Sequence, residues 1–116
     1  MRVYAYDKCG TCKKALRWLG DRGIAVEVVS IVEAPPSAET LRRIRDLAGV
    51  PTRKLFNTSG QSYRSGDWKA RLPTLTDDEA LAALAADGKL IKRPLVLGDG
   101  VAVVGFSEAE YADRFA

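Results

Sequence analysis

The sequence has no histidine and only two cysteines, Cys9 and Cys12. Because the chain has no histidine, it has no imidazole to act as a general base. A reactive cysteine must therefore be ionised by nearby charge and hydrogen bonds. A closed zinc site requires four nitrogen or sulfur ligands, so a dimer would have to share two such cysteine pairs. Three interpretations stay open: redox or covalent thiol chemistry, a shared metal site, and two inert core cysteines.

Long apolar runs are also missing, since none approaches the roughly 18 residues that a membrane span requires. The first residues, MRVYAYDKCG, contain neither the apolar core nor the cleavage site of a signal peptide. We therefore expect a cytoplasmic protein without membrane contact. Structural disulfides are rare in that compartment, which favours a catalytic or metal-binding cysteine pair.

The positive charge is modest and dispersed. The net charge is +3, and no dense tract of lysine and arginine is present. This balance suits small anionic ligands, and no direct nucleic-acid binding is expected. The chain has 116 residues, of which 47% are hydrophobic. We expect a single domain over residues 1–116 that buries its core without a metal or a disulfide.

The first 31 residues change periodicity twice. Residues 1–6 alternate small apolar and larger side chains, which predicts a short strand. Residues 11–22 place apolar side chains on one helical face, and Gly23 follows as a C-terminal cap. Residues 24–31 are rich in β-branched side chains and predict a second strand. The expected product is a parallel β-α-β unit with a right-handed crossover.

The middle of the chain is predicted to be helical. Three helices are expected, at residues 37–49, 63–72 and 76–88, with an irregular stretch at 53–60. Ser37 is a good N-cap for the first of them. Thr76 and Glu79 have the spacing of a capping box at the start of the last.

The last part of the chain predicts a hairpin and a helix. Two short apolar strands, at 94–97 and 101–104, flank an Asp-Gly turn, which is a strong hairpin signal. A second capping-box pattern begins at Ser107 and opens the final helix.

The predicted order of elements is βαβ, a helical insertion over about 37–86, and αββα. This order predicts an α/β fold with a mixed four-stranded sheet flanked by helices. A cysteine pair between the first strand and the first helix, followed by a hairpin near the C-terminus, is typical of a thioredoxin-like fold.

Cys9 is the better placed of the two thiols to react. It precedes the first helix, where free N–H groups and the helix dipole favour a thiolate. Lys8, Lys13 and Lys14 add positive charge nearby. Gly10 and Thr11 are expected to offer backbone N–H groups and one hydroxyl to an anion.

Cys12 is expected to act second. A cysteine three residues after the nucleophile can resolve a mixed disulfide that the nucleophile has made. Its place one turn inside the helix makes it a poor attacking group for an outside substrate.

Two stretches taken together resemble a known family. YDKCGTCKKALRWL, followed much later by LIKRPLVLGDGVAVVGFSEAEY, resembles the arsenate reductase-like, Spx-related family with a thioredoxin fold. The resemblance covers nearly the whole chain. It implies that Cys9 is the nucleophile, and that Cys12 stands where Spx-like members have cysteine and glutathione/glutaredoxin-coupled arsenate reductases have serine.

The resemblance also implies roles for three further residues. Arg93, in KRP, matches an arginine that faces the nucleophile. Pro94 matches a proline that is preceded by a cis peptide bond. Arg53, in PTRKLFNTSG, matches a second anion-binding arginine in the helical insertion. The substrate or anion site is thus expected to comprise Gly10, Thr11, Arg53 and Pro94.

The well-studied arsenate reductases carry a third arginine beyond the RP strand, whereas this chain has VAVVGFSE there. The resemblance implies a thiol-dependent oxidoreductase acting on arsenate, a protein disulfide or a glutathione mixed disulfide. It implies no metal and no bound cofactor, with thioredoxin or glutathione plus glutaredoxin as the external reductant. The alternatives are an Spx-type redox-sensing transcriptional regulator that binds RNA polymerase, and a scaffold with a vestigial site.

Overall fold

The computed structural model describes residues 1–115 and contains a four-stranded sheet in the order β2-β1-β3-β4. The strands are β1 Arg2–Ala5, β2 Glu27–Ser30, β3 Leu95–Leu97 and β4 Ala102–Val104. β1 pairs with β2 in parallel and with β3 antiparallel, and β3 pairs antiparallel with β4. The predicted mixed sheet is confirmed.

Six α-helices surround the sheet in the described part of the chain. They are α1 Gly10–Asp21, α2 Ala38–Ala48, α3 Gln61–Ser65, α4 Trp68–Arg71, α5 Asp77–Ala86 and α6 Glu108–Phe115. Three 3₁₀ turns lie at Thr52–Leu55, Leu72–Thr74 and Gly88–Leu90. The predicted caps are present, since Ser37 accepts a hydrogen bond from the Thr40 N–H and Thr76 forms a complete capping box with Glu79.

Two predicted elements differ from the structure. The helix expected over 63–72 is wrong: α3 and α4 are separated at Asp67, which has a left-handed φ of 55°. Asp tolerates that conformation better than most residues, and a continuous helix cannot pass through it. The second strand begins three residues later than expected, because Ile24 N–H bonds to the Leu19 carbonyl at the end of α1.

The sheet has a hydrophobic cluster on each face because side chains alternate along every strand. From β1, Val3 and Ala5 pack with α1 and α6, whereas Tyr4 packs with α2 and α5. Trp18 of α1 is buried in the cluster that contains Val3 and Ala5. The fold is thioredoxin-like, with its sheet covered on both sides.

One long-range contact fixes the helical middle to the segment just before β3, which contains the KRP motif. Phe56 and Ile91 form an isolated antiparallel bridge. The Asn57 N–H donates to the Leu90 carbonyl at 2.8 Å, and the Lys92 N–H donates to the Leu55 carbonyl at 2.7 Å. This strap, residues 55–57 paired with 90–92, brings the polar segment after Phe56 beside Arg93.

Within residues 1–115, the helices are all too short or too polar to cross a bilayer.

Candidate active site

Cys9 caps the N-terminus of α1. Its backbone is extended, with φ −101° and ψ 116°, and its Sγ accepts a hydrogen bond from the Cys12 N–H at 3.3 Å. The Cys9 N–H in turn donates to the Tyr6 carbonyl at 3.1 Å. The side chain is half-buried. The sulfur therefore lies at the positive end of a three-turn helix while still reaching the surface.

Cys12 lies one helical turn further and is buried, with 1% of its surface exposed. The Tyr6 N–H donates to its Sγ at 3.5 Å. Both cysteines are free thiols in this structure. An outside molecule therefore meets Cys9 first, and Cys12 lies behind it.

The two thiols have different acidities. Burial raises the pKa of Cys9, but hydrogen bonds from the Cys12 side chain and N–H and the nearby Arg93 guanidinium outweigh it, so the pKa falls below its ordinary value. Burial, together with the hydrogen bond to Cys9 and its charge, raises the pKa of Cys12 to about 12. Near neutral pH, Cys9 is the more ionised thiol and Cys12 stays protonated.

Arg93 is held on two sides. Its guanidinium carbon lies 4.8 Å from the centroid of the Tyr6 ring, and its Nη1 donates to the Lys89 carbonyl at 3.4 Å. The Arg93–Pro94 peptide bond is cis, as the resemblance implies. A planar, permanently charged guanidinium in this place can stabilise a thiolate or a bound anion.

An open cleft of about 580 Å³ surrounds the Cys9 side chain; we call it the Cys9 cleft. Four segments line it: Cys9 and Thr11 of the helix start, residues 56–59, Lys92 with Arg93, and 104–107 with Glu110. The Ser107 hydroxyl caps α6 by accepting from the Glu110 N–H at 3.3 Å. The wall thus contains two cations, one carboxylate and several hydroxyl and amide groups.

The structure brings together Cys9, Thr11 and Arg93, with Cys12 behind Cys9. Gly10 is the first residue of α1, and Pro94 follows Arg93, but neither lines the cleft. Arg53 does not reach the cleft and lies in a separate depression with Lys69.

The expected pairing of Arg53 with the cysteine site is therefore corrected. In the 3₁₀ turn Thr52–Leu55, the side chains of Thr52 and Leu55 are buried. Residues three apart eclipse in such a turn, so burying that pair leaves the side chain of Arg53 exposed on the other side.

Sequence analysis missed the polar segment Asn57, Thr58 and Ser59, which forms a wall of the Cys9 cleft. These residues were interpretable only as a turn, because the strap that brings them to Arg93 joins distant parts of the chain. Lys92 and Glu110 were missed as well. Lys92 could have been suggested by its place beside Arg93 in the KRP motif.

Acid-base behaviour gives a direct test of the Arg93 contact. We expect iodoacetamide to alkylate Cys9 with a pH midpoint below that of an ordinary thiol, while Cys12 in the folded protein stays unmodified. Arg93→Met removes one cause of the lowered pKa, so the midpoint should move to higher pH. Mass spectrometry of the alkylated peptide against pH measures this.

Arg53→Met is the matched control, because it removes the same charge from the same type of residue outside the Cys9 cleft. An equal upward movement of the midpoint in both variants would mean that overall charge, and not the position of Arg93, sets the acidity of Cys9.

Comparison with known proteins identifies the family of this chain. The model of the ArsC family matches residues 4–114. The chain belongs to the ArsC family. It is 42% identical to the uncharacterized protein YusI of Bacillus subtilis over 100% of this chain and 98% of that one. An arsenate reductase of Neisseria meningitidis serogroup A is 31% identical over 90% of this chain and 89% of its own.

The solved structures agree with this placement. The crystal structure of a putative ArsC family related protein from Bacteroides fragilis has a TM-score of 0.93 at 39% identity, covering 97% of this chain and 94% of that one.

A transcriptional regulator is also among the sequence relatives. The global transcriptional regulator Spx of Lactiplantibacillus plantarum is 24% identical over 93% of this chain and 80% of its own. The resemblance to an arsenate reductase-like, Spx-related family is confirmed.

ArsC proteins draw electrons from external thiols, which agrees with a site built on two cysteines. No three histidine, cysteine, aspartate or glutamate side chains in residues 1–115 are grouped so that they could hold a metal ion.

Proposed function

We propose that this chain is a cytoplasmic thiol-dependent reductase in which Cys9 attacks an oxidised substrate and Cys12 resolves the product. The observation that carries the proposal is the position of Cys9, which caps α1 beside Arg93 with a buried cysteine one turn behind. The N-terminal end of α1 and the guanidinium of Arg93 both favour a thiolate at Cys9, at the mouth of the cleft.

With a disulfide RS–SR′, the proposed reaction has two exchanges. The Cys9 thiolate attacks RS, the S–S bond breaks, and R′S⁻ leaves, giving Cys9–S–SR. Cys12 then loses its proton and attacks the Cys9 Sγ, so that RS⁻ leaves and a Cys9–Cys12 disulfide forms. The substrate gains the two electrons that the cysteine pair loses, and external thiols, from thioredoxin or from glutathione with glutaredoxin, restore the pair.

The acidity of Cys12 favours this order. Two of the causes that raise its pKa, the hydrogen bond to Cys9 and the charge of Cys9, disappear once Cys9 is part of a mixed disulfide. The Arg93 charge, which lowers the pKa, remains. Cys12 therefore ionises more readily after Cys9 has reacted than before.

A disulfide suits the Cys9 cleft better than a multiply charged oxyanion. Arg53 lies elsewhere, residues 101–108 supply no arginine, and Glu110 adds a negative charge to the wall. Like charge beside a bound oxyanion weakens binding. We therefore expect the chain to reduce small disulfides more readily than arsenate.

The test compares acceptors under one set of conditions. Reduced protein is mixed with 2-hydroxyethyl disulfide or arsenate, and mass spectrometry follows loss of two hydrogens as the Cys9–Cys12 disulfide forms. NADPH consumption then measures re-reduction by thioredoxin with its reductase, and by glutathione with glutaredoxin and glutathione reductase. We expect disulfide-dependent oxidation and re-reduction by at least one donor; a chain inert to both acceptors would exclude the proposed reductase.

A second candidate is an Spx-type redox sensor that binds RNA polymerase. The similarity to Spx favours it, together with a cysteine at position 12. Co-purification with RNA polymerase that changes with the redox state of Cys9 and Cys12, in a chain that sustains no turnover, would support this candidate instead.

A further inference from the structure

A second cleft, of about 450 Å³, adjoins the Cys9 cleft; we call it the Lys89 cleft. Asn57 and Arg93 line both clefts, so the two clefts meet at these two residues. Hydrogen-bonding side chains line most of the Lys89 cleft: Asn57, Gln61, Ser62, Ser65, Lys89 and Arg93. A ligand joined to Cys9 can therefore extend past Arg93 into a polar space.

The Lys89 cleft has two cations and no carboxylate in its wall. The four ion pairs among residues 1–115 use Arg2, Arg42 and Arg45, so none of them neutralises Lys89 or Arg93. The Cys9 cleft, in contrast, has Glu110 in its wall. A negatively charged group is therefore better accommodated in the Lys89 cleft than beside the sulfur.

The fold holds the backbone of Lys89 and the guanidinium of Arg93 in place. Asp87 Oδ1 accepts from the Lys89 N–H at 3.0 Å at the start of the 3₁₀ turn Gly88–Leu90. The Lys89 carbonyl accepts from Arg93 Nη1 at 3.4 Å, and the Tyr6 ring supports the same guanidinium. Arg93, which lines both clefts, is thus hydrogen-bonded to the backbone of Lys89.

We propose that the Lys89 cleft is a carboxylate-binding subsite, so that the substrates of Cys9 are small disulfides carrying a carboxylate. This rests on the proposed disulfide exchange. The half of the disulfide that becomes bonded to Cys9 keeps its carboxylate against Lys89 and Arg93, while the other half leaves as a thiolate. The hydroxyl and amide groups of Ser62 and Gln61 complete the polar wall around that carboxylate.

The test uses three symmetric disulfides of similar length and different charge: 3,3′-dithiodipropionate, 2-hydroxyethyl disulfide and cystamine. Second-order rate constants for oxidation of the reduced protein are measured by stopped flow, for the original chain, Lys89→Gln and Lys69→Gln. Lys69 is exposed and lines a different depression, so its variant matches the change in net charge. Circular dichroism verifies folding.

We expect the original chain to react in the order anionic, neutral, cationic. Lys89→Gln should lower the ratio of the anionic to the neutral rate constant about five-fold, as loss of one partly exposed charge contact implies. Lys69→Gln should keep that ratio. The preference should also weaken as salt is raised.

Two other outcomes would each overturn the subsite, and they are distinguishable. If the neutral disulfide reacts but the anionic one is not preferred, or both lysine variants lower the ratio equally, the carboxylate subsite is wrong and the thiol exchange stands. If none of the three disulfides oxidises Cys9, both the carboxylate subsite and the proposed reductase activity are wrong.

Discussion

Cys9→Ser is expected to lower disulfide-dependent turnover by at least about 1,000-fold, because a hydroxyl is a far weaker nucleophile than a thiolate at neutral pH. The hydrogen bond from the Cys12 N–H and the charge of Arg93 stabilise an anion at position 9 that serine does not form. The buried Cys12 cannot replace the lost thiol, because it is 1% exposed and its pKa is raised to about 12.

Cys12→Ser is the matched control, since it removes the other sulfur and leaves the mouth of the cleft unchanged. This variant should still attack a disulfide once and then remain as a mixed disulfide on Cys9, which mass spectrometry detects as an adduct. NADPH consumption separates the two steps. A Cys9→Ser chain that keeps its turnover would assign the attack to Cys12, against the structure.

Gly88→Ala is expected to destabilise the fold by about 3 kcal/mol or more. Gly88 is buried, and a Cβ there would overlap the backbone carbonyl of Ile31 and press on Val32. The atoms it would meet belong to the backbone and have no rotamer by which to move aside. The free energy of unfolding in urea, followed by tryptophan fluorescence, measures the loss.

Gly20→Ala is the control from the same chain. Gly20 lies in α1, and a Cβ there would meet no atom within 4 Å. Alanine is a better helix former than glycine, so this variant should gain about 0.5 kcal/mol. If Gly88→Ala unfolds at the same urea concentration as the original chain, the close approach of Gly88 to the Ile31 backbone is wrong.

Local signals predicted much of the fold because each acts within a few residues. Ser37 and Thr76 cap their helices as expected, since a cap depends on a side chain and the N–H groups next to it. The break at Asp67 was missed because a left-handed residue other than glycine leaves little trace in sequence. The second strand was predicted over residues 24–31, which is longer than β2, because β-branched composition does not show which N–H groups bond to the end of a neighbouring helix.

Some residues of the candidate site could be predicted from local sequence motifs, and others could not. The motif around Cys9 and Cys12 and the KRP motif lie at element ends, so their residues could be identified from sequence. Residues 57–59 could not, because only the strap between 55–57 and 90–92 brings them to the cleft. Arg53 was assigned from the family resemblance, and a motif match does not indicate which face of a 3₁₀ turn a side chain occupies.

The strap has a consequence for how the site is encoded along the chain. Reactivity is specified at residues 9–12 and 92–94, whereas residues 57–65 contribute part of the surface that a substrate meets. Two hydrogen bonds, which together make up one antiparallel bridge, tie the second part to the first. Descendants of one ancestor can therefore exchange that surface segment and acquire new substrates without altering the thiols, and engineers can graft the segment between relatives in the same manner.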